Sequence, residues 1–304
     1  MKIRLLYILC FVITILTACR NDEPDRNVIS CAQVYYPIKN IITIHYAGSN
    51  PWGRDDHTNY AGQTTALQSL IWTVYGTPCI GRFYIYFDLS EYSNTKKPLI
   101  ENMDLYLYAH PTFENHSSNK TNRHVFNRVI SGWEETTLTW DCQPVIAETT
   151  SFITDHIPGT IDEPRKDNYV FNLNNILLEK GKLRDDYKGI SCRPYPEDLS
   201  DYYRRITFAG RTIGNEALFP KLKVVYKLPK PTISFNNKTF SVNNIDDLKV
   251  LFKNVQYLWT INGEKHEGER ITFESDAKQY KANLRIIITN HIGEISEYAI
   301  NGSF

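Results

Sequence analysis

Two short segments constrain the fold more than anything else in the chain. In Phe83–Leu89, the apolar residues Phe83, Ile85, Phe87 and Leu89 alternate with Tyr84 and Tyr86. In Met103–Tyr108, the apolar residues Met103, Leu105 and Leu107 alternate with Tyr106 and Tyr108. A strand sends successive side chains to opposite faces, so a period of two makes each segment a strand with an apolar face and a tyrosine face. The rest of the chain offers no long amphipathic helical pattern. It carries short β-prone runs separated by turn residues, and that combination predicts an all-β protein. One short helix is expected at Asn172–Lys180, capped by Gly181.

A third segment, Trp133-Glu134-Glu135-Thr136-Thr137-Leu138-Thr139-Trp140, ends in Asp141-Cys142-Gln143-Pro144. Its alternation predicts a strand over Thr137–Trp140 with Leu138 and Trp140 buried on one face. Further strands are expected at Ile41–Tyr46, Ala66–Tyr75, Tyr203–Phe208 and Lys221–Tyr226. Leu228-Pro229-Lys230-Pro231 marks a boundary, because two prolines in three residues stop a strand and stiffen a linker. Beyond it lie short β-prone runs with turns such as Asn262-Gly263, and Trp259 is the expected core ring.

In order, the segments Arg82…Phe87-Asp88-Leu89-Ser90, Asp104-Leu105-Tyr106-Leu107-Tyr108, Trp133…Trp140…Pro144 and Pro220-Lys221-Leu222-Lys223-Val224-Val225-Tyr226 resemble the DNRLRE domain, grouped with carbohydrate-binding module family 96. The resemblance covers roughly Val28 to Leu228, and Asn102-Met103-Asp104 departs from the small residue usual before the second motif. It implies a jelly-roll-like β-sandwich that binds carbohydrate. Residues 229–304 resemble a smaller immunoglobulin-like or PKD-like β-sandwich, without the cysteine pair of antibody domains.

The N-terminus predicts export. Lys2 and Arg4 precede the short apolar run Leu5–Leu16, and Leu16-Thr17-Ala18-Cys19 resembles a bacterial lipobox. The expectation is a signal peptide over 1–18, lipidation at Cys19, a charged tether over 19–27, and an outer-membrane lipoprotein. Asp22, Glu23 and Asp25 resemble the surface-export signal of Bacteroidetes lipoproteins.

The 304 residues carry 34 basic and 34 acidic side chains, so bulk electrostatics do not recruit nucleic acid. The mature chain keeps Cys31, Cys79, Cys142 and Cys192 beside Cys19. An exported protein can oxidise them, in three possible pairings, or they remain free buried thiols, and the absence of a CxxC spacing argues against zinc. No GxSxG, HExxH or P-loop occurs. Glu134, Glu135 and Asp141 cluster in sequence, but a glycosidase needs two carboxyls at a set separation. No cofactor is expected beyond a structural calcium, for which Asp55, Asp56, Asp185 and Asp186 offer hard oxygen ligands, against plain exposed acidic turns.

Twenty tyrosines and five tryptophans suit both a β-rich core and a sugar-stacking surface. Two ligand-binding sets follow. One is a loop edge of Trp52, His57 and Tyr60 with Trp133. The other is a platform of Tyr84, Tyr86, Tyr106 and Tyr108, which requires their strands to share a sheet. Against both stands a structural role under a loop or neighbouring domain. The leading function is a non-catalytic, lipid-anchored surface protein that binds a polysaccharide or host glycan. The alternatives are a scaffold that binds neighbouring surface proteins, and a polysaccharide-degrading enzyme.

Overall fold

The computed structural model describes residues 28–48, 53–62, 65–93, 99–117, 122–158, 166–252, 254–273, 279–289 and 295–304. The signal peptide, Cys19, the tether and Trp52 lie outside them. The protein is all-β. Its first strands are β1 (Val28–Tyr35), β2 (Pro37–Tyr46), β3 (Ala66–Val74), β4 (Thr77–Phe87), β5 (Ile100–Tyr108), β6 (His124–Val129), β7 (Ile146–Ile153) and β8 (Asn168–Asn172). After the one-turn helix α1 (Asn174–Leu177) come β9 (Leu178–Glu179), β10 (Lys182–Leu183), β11 (Gly189–Pro194), β12 (Arg204–Ala209) and β13 (Lys221–Pro229). The remainder holds β14 (Thr232–Asn236), β15 (Thr239–Asn243), helix α2 (Asp246–Leu251), β16 (Asn254–Ile261), β17 (Glu264–Glu267), β18 (Arg270–Thr272), β19 (Lys281–Thr289) and β20 (Ile295–Ser303).

These residues form two compact units. One comprises the described residues of 35–94 and 102–224; the other comprises those of 28–34, 99–101 and 225–304. The sequence places a cut between 228 and 229, whereas this grouping puts Val28–Val34 with the C-terminal residues.

The first unit is a sandwich. A seven-stranded sheet runs β12-β3-β4-β11-β6-β7, with β2 also on β4, and the unit's residues of β13, β5 and β8 lie side by side in a second, smaller sheet. Rings from β8 meet rings of the larger sheet: Phe126 lies 4.8 Å from Phe171, and Phe208 lies 5.4 Å from Tyr169. Phe83, Ile85, Phe87, Met103, Leu105 and Leu107 are all buried, so both apolar stripes face inward as the alternation predicts. Each such side chain contributes about 1.5–3 kcal/mol when fully buried.

Strand β4 has three partners. β2 follows one edge from Cys79 to Phe87. On the other edge β3 takes Thr77–Gly81 and β11 takes Phe83–Ile85. The sheet therefore forks at Gly81–Phe83. Glycine is required at the fork, because a Cβ on Gly81 would sit 2.9 Å from Leu70 Cγ.

Two expectations are corrected. Thr137–Trp140 is a turn rather than a strand: Thr137 and Leu138 both donate their N–H to the Glu134 carbonyl. Side-chain capture overrides the β propensity of the threonines. Asn59 donates to the carbonyls of Glu135 and Leu138, at 2.8 and 2.6 Å. Glu135 accepts from the Asn40 backbone N–H and from Arg211. Leu138 is buried as expected, but Trp140 is only half-buried. The second correction is Gly181, whose φ of +75 follows Lys180 at +51 in the turn between β9 and β10, so it does not cap a helix.

The core of this unit includes a neutral histidine. His124 on β6 is fully enclosed, and its Nε2–H donates to Asn122 Oδ1 at 3.0 Å while Nδ1 accepts from Ser69 Oγ at 2.7 Å. Burial, then the Arg204 charge, hold its pKa well below 6.5. The unfolded chain takes up a proton near pH 6.5 that the native state refuses, so stability is full above that pH and falls as pH drops below it. The loss should approach about 1.4 kcal/mol per pH unit. Urea titrations at pH 7 and pH 5 should show a slope steeper by one proton than in His124→Gln; equal slopes would refute the assignment.

The second unit holds a three-stranded sheet, β14-β15-β18, and a four-stranded sheet, β17-β16-β19-β20. Asn262-Gly263, at φ +50 and +93, makes the expected tight turn between β16 and β17. Trp259 is 1% exposed, packs 6.0 Å from Phe240, and donates its indole N–H to the Gly268 carbonyl at 2.7 Å. From β1, Gln33 donates to the Leu251 carbonyl, and Cys31 Sγ lies 2.9 Å from the Tyr298 hydroxyl.

Candidate functional site

One face of β2, β4, β3 and β12 floors a cleft of about 420 Å³. Direct cross-strand partners lay its floor in rows. Tyr46 on β2 opposes Cys79 on β4, which opposes Trp72 on β3. The next row runs from Ile44 through Gly81 and Leu70 to Arg205 on β12. Ile42, Ala66, Gln68 and Val74 complete the strand-borne lining, and Arg54, Tyr60, Thr65 and Phe113 enter from loops.

The cleft is mostly apolar and aromatic, with a few placed polar groups. Tyr60 is buried with its hydroxyl 3.4 Å from that of Tyr46, and burial foremost keeps its phenol protonated. Burial likewise pushes the Cys79 thiol up to about 11, so it is inert at neutral pH. The Arg54 guanidinium lies 5.5 Å from the centre of the Tyr60 ring, and that of Arg205 lies 4.8 Å from the Trp72 ring. Arg205 also donates Nε–H to the Glu114 carbonyl at 3.1 Å. The described lining residues include no carboxylate.

The two expected ligand-binding sets are not assembled as predicted. Tyr60 lines the cleft, while Trp52 lies outside the described residues. His57 is exposed and its Nδ1 lies 2.7 Å from Asp141 Oδ2. Trp133 covers β4 instead: its ring lies 6.1 Å from Tyr84, and its indole N–H donates to the Lys188 carbonyl at 2.9 Å. The tyrosine platform fails on topology, since Tyr84 and Tyr86 belong to the larger sheet and Tyr106 and Tyr108 to the smaller. Tyr84 is also buried, donating its hydroxyl to Gln143 Oε1 at 2.6 Å, and Tyr86 stacks 5.8 Å from Tyr187. Tyr106 and Tyr108 are half-buried on β5, with Lys221 over Tyr108.

The segment Trp133–Pro144 is thus a cover for the outer face of β4. Trp140 stacks on His45 and lies 4.6 Å from the Arg82 guanidinium. Its acids serve the cover: Glu134 pairs with Lys39 at 2.8 Å and Glu135 with Arg211 at 2.5 Å. The acids considered for calcium are also engaged in part. Asp55 accepts from its own loop, Asp56 from Tyr46 N–H, and Asp186 binds Arg128 in bidentate fashion. The described residues contain no group of three side chains suited to a metal ion. Cys31, Cys79, Cys142 and Cys192 are all free thiols.

Sequence reasoning missed Tyr46, Arg54, Gln68, Trp72, Phe113 and Arg205. The parity of Ala66, Gln68, Leu70, Trp72 and Val74 along one strand is the signal that groups part of this lining. Comparison with protein-family models, with curated proteins and with solved structures finds no match.

Proposed function

We propose that this is a non-catalytic glycan-binding protein, and that the cleft on β2, β4, β3 and β12 is its sugar site. The observation that carries the reading is the pairing of aromatic rings with two arginines in one concave lining. A ring offers an apolar face to sugar C–H groups, and a guanidinium offers paired donors to sugar oxygens. Two cations with no described carboxylate in the lining favour a sugar that carries a carboxylate or sulfate. The described residues of the same lining include no acid pair of the kind glycoside hydrolysis uses. A lipid at Cys19, with display on the outer-membrane surface, completes the proposal; Cys19→Ala should release the protein from the membrane fraction.

Retention on polygalacturonate-loaded gel tests the site. The protein should be slowed, and Trp72→Ala and Arg205→Ala should each weaken binding by about tenfold or more with the melting temperature checked. Equal retention of both variants would move the site elsewhere. No retention on this gel or on sulfated and neutral polysaccharide gels would remove the glycan reading, and shortening of the polysaccharide on incubation would remove the non-catalytic one.

A further inference from the structure

We infer that the sugar site extends out of the cleft onto an aromatic wall of His116, Tyr203 and Tyr202, so that the protein grips the interior of a polymer chain and not its end. This rests on the glycan reading above. Trp72 lines the cleft, and its ring centre lies 5.0 Å from that of His116 and 5.0 Å from that of Tyr203, neither of which lines it. Tyr202 follows at 6.3 Å from Tyr203. The rings of His116 and Tyr203 stand at 82° and 86° to Trp72, so the wall turns a corner there. Arg205 sits at that corner, over Trp72, where it reaches sugar on either side.

Tyr203 shows that the wall is built. Its φ is +64, a left-handed conformation costly for an aromatic residue, yet it stays 44% exposed. The neighbours fix it there. His116 Nδ1–H donates to the Tyr203 carbonyl at 2.7 Å, and Thr73 Oγ1–H donates to the Tyr203 hydroxyl at 3.4 Å. His116 is itself tied to β12 by paired backbone hydrogen bonds with Arg205, both 2.8 Å. An exposed ring locked in a strained backbone beside a cleft suits a surface that must be ready for a ligand.

Calorimetric titration with oligogalacturonates from dimer to hexamer tests the extension. Affinity should rise with length, and Tyr203→Ala should keep dimer affinity while losing about tenfold at the hexamer. Tyr203→Phe should retain the hexamer gain, since its ring is kept. Tyr202→Ala serves as the second variant if Tyr203→Ala lowers the melting temperature. An affinity independent of length, a length dependence equal in wild type and both alanine variants, or no hexamer binding would overturn the extension. If Trp72→Ala still abolished binding to polymer-loaded gel, the cleft proposal would survive that result.

Discussion

Glu197→Ala should destabilise the first unit by about 3–5 kcal/mol, read as a lowered urea midpoint at pH 7. Glu197 receives Arg82 in a two-pronged pair, Nε to Oε1 at 2.7 Å and Nη2 to Oε2 at 2.6 Å, and Arg193 Nη1 at 3.1 Å. The side chains of Arg82 and Glu197 are only 23% and 14% exposed, so water screens them poorly. Removing the acid strands two guanidinium groups that shared it, one of them, Arg82, beneath the Trp133–Pro144 cover. Arg82→Met with Glu197→Leu should recover part of the loss, because one of the two stranded guanidinium groups is then gone and only Arg193 is left without the acid. A cost for Glu197→Ala below about 1 kcal/mol would mean that the pair behaves as a solvated surface bridge.

Trp259→Ala should cost the second unit about 3–5 kcal/mol. The indole fills the space between the two sheets against Phe240, and its loss also leaves the Gly268 carbonyl without its donor. Trp259→Phe should cost less by keeping much of the volume, yet more than a pure volume change by losing the N–H. Calorimetry on the full chain should show the loss as a lowered melting transition. An unchanged transition in Trp259→Ala would place the ring outside the core.

Local pattern made some of this structure legible. The stripes of Phe83–Leu89 and Met103–Leu107 set which side chains are buried, because the strand period alone decides that. Asn262-Gly263 likewise announced its turn. Partners across long separations were not legible. Which sheet holds Tyr84 and which holds Tyr106 depends on strand order, and strand order decided against the platform. Trp133–Trp140 has strand-like composition, yet Asn40, Asn59 and Arg211 capture it as a turn from distant parts of the chain. The cleft was hidden for a related reason. A half-buried Trp72 on an alternating strand reads the same as a core tryptophan until β2, β4 and β3 are seen side by side. Arg54 and Arg205 belong together only after β2, β4, β3 and β12 have aligned.

The grouping of Val28–Val34 with the C-terminal residues also sets an order of events during synthesis. Gln33 waits for Leu251, 218 positions later, and Cys31 for Tyr298, 267 positions later. Strands β2 to β12 have all left the ribosome before either contact can form, so Tyr35–Val224 can assemble while the segment that precedes it is still unpartnered with the C-terminal strands. Contacts of such sequence separation form slowly. A nascent chain halted before Lys221 should therefore protect β4 from proteolysis while leaving Val28–Val34, whose partners on β13 and at Leu251 and Tyr298 are not yet made, open to cleavage.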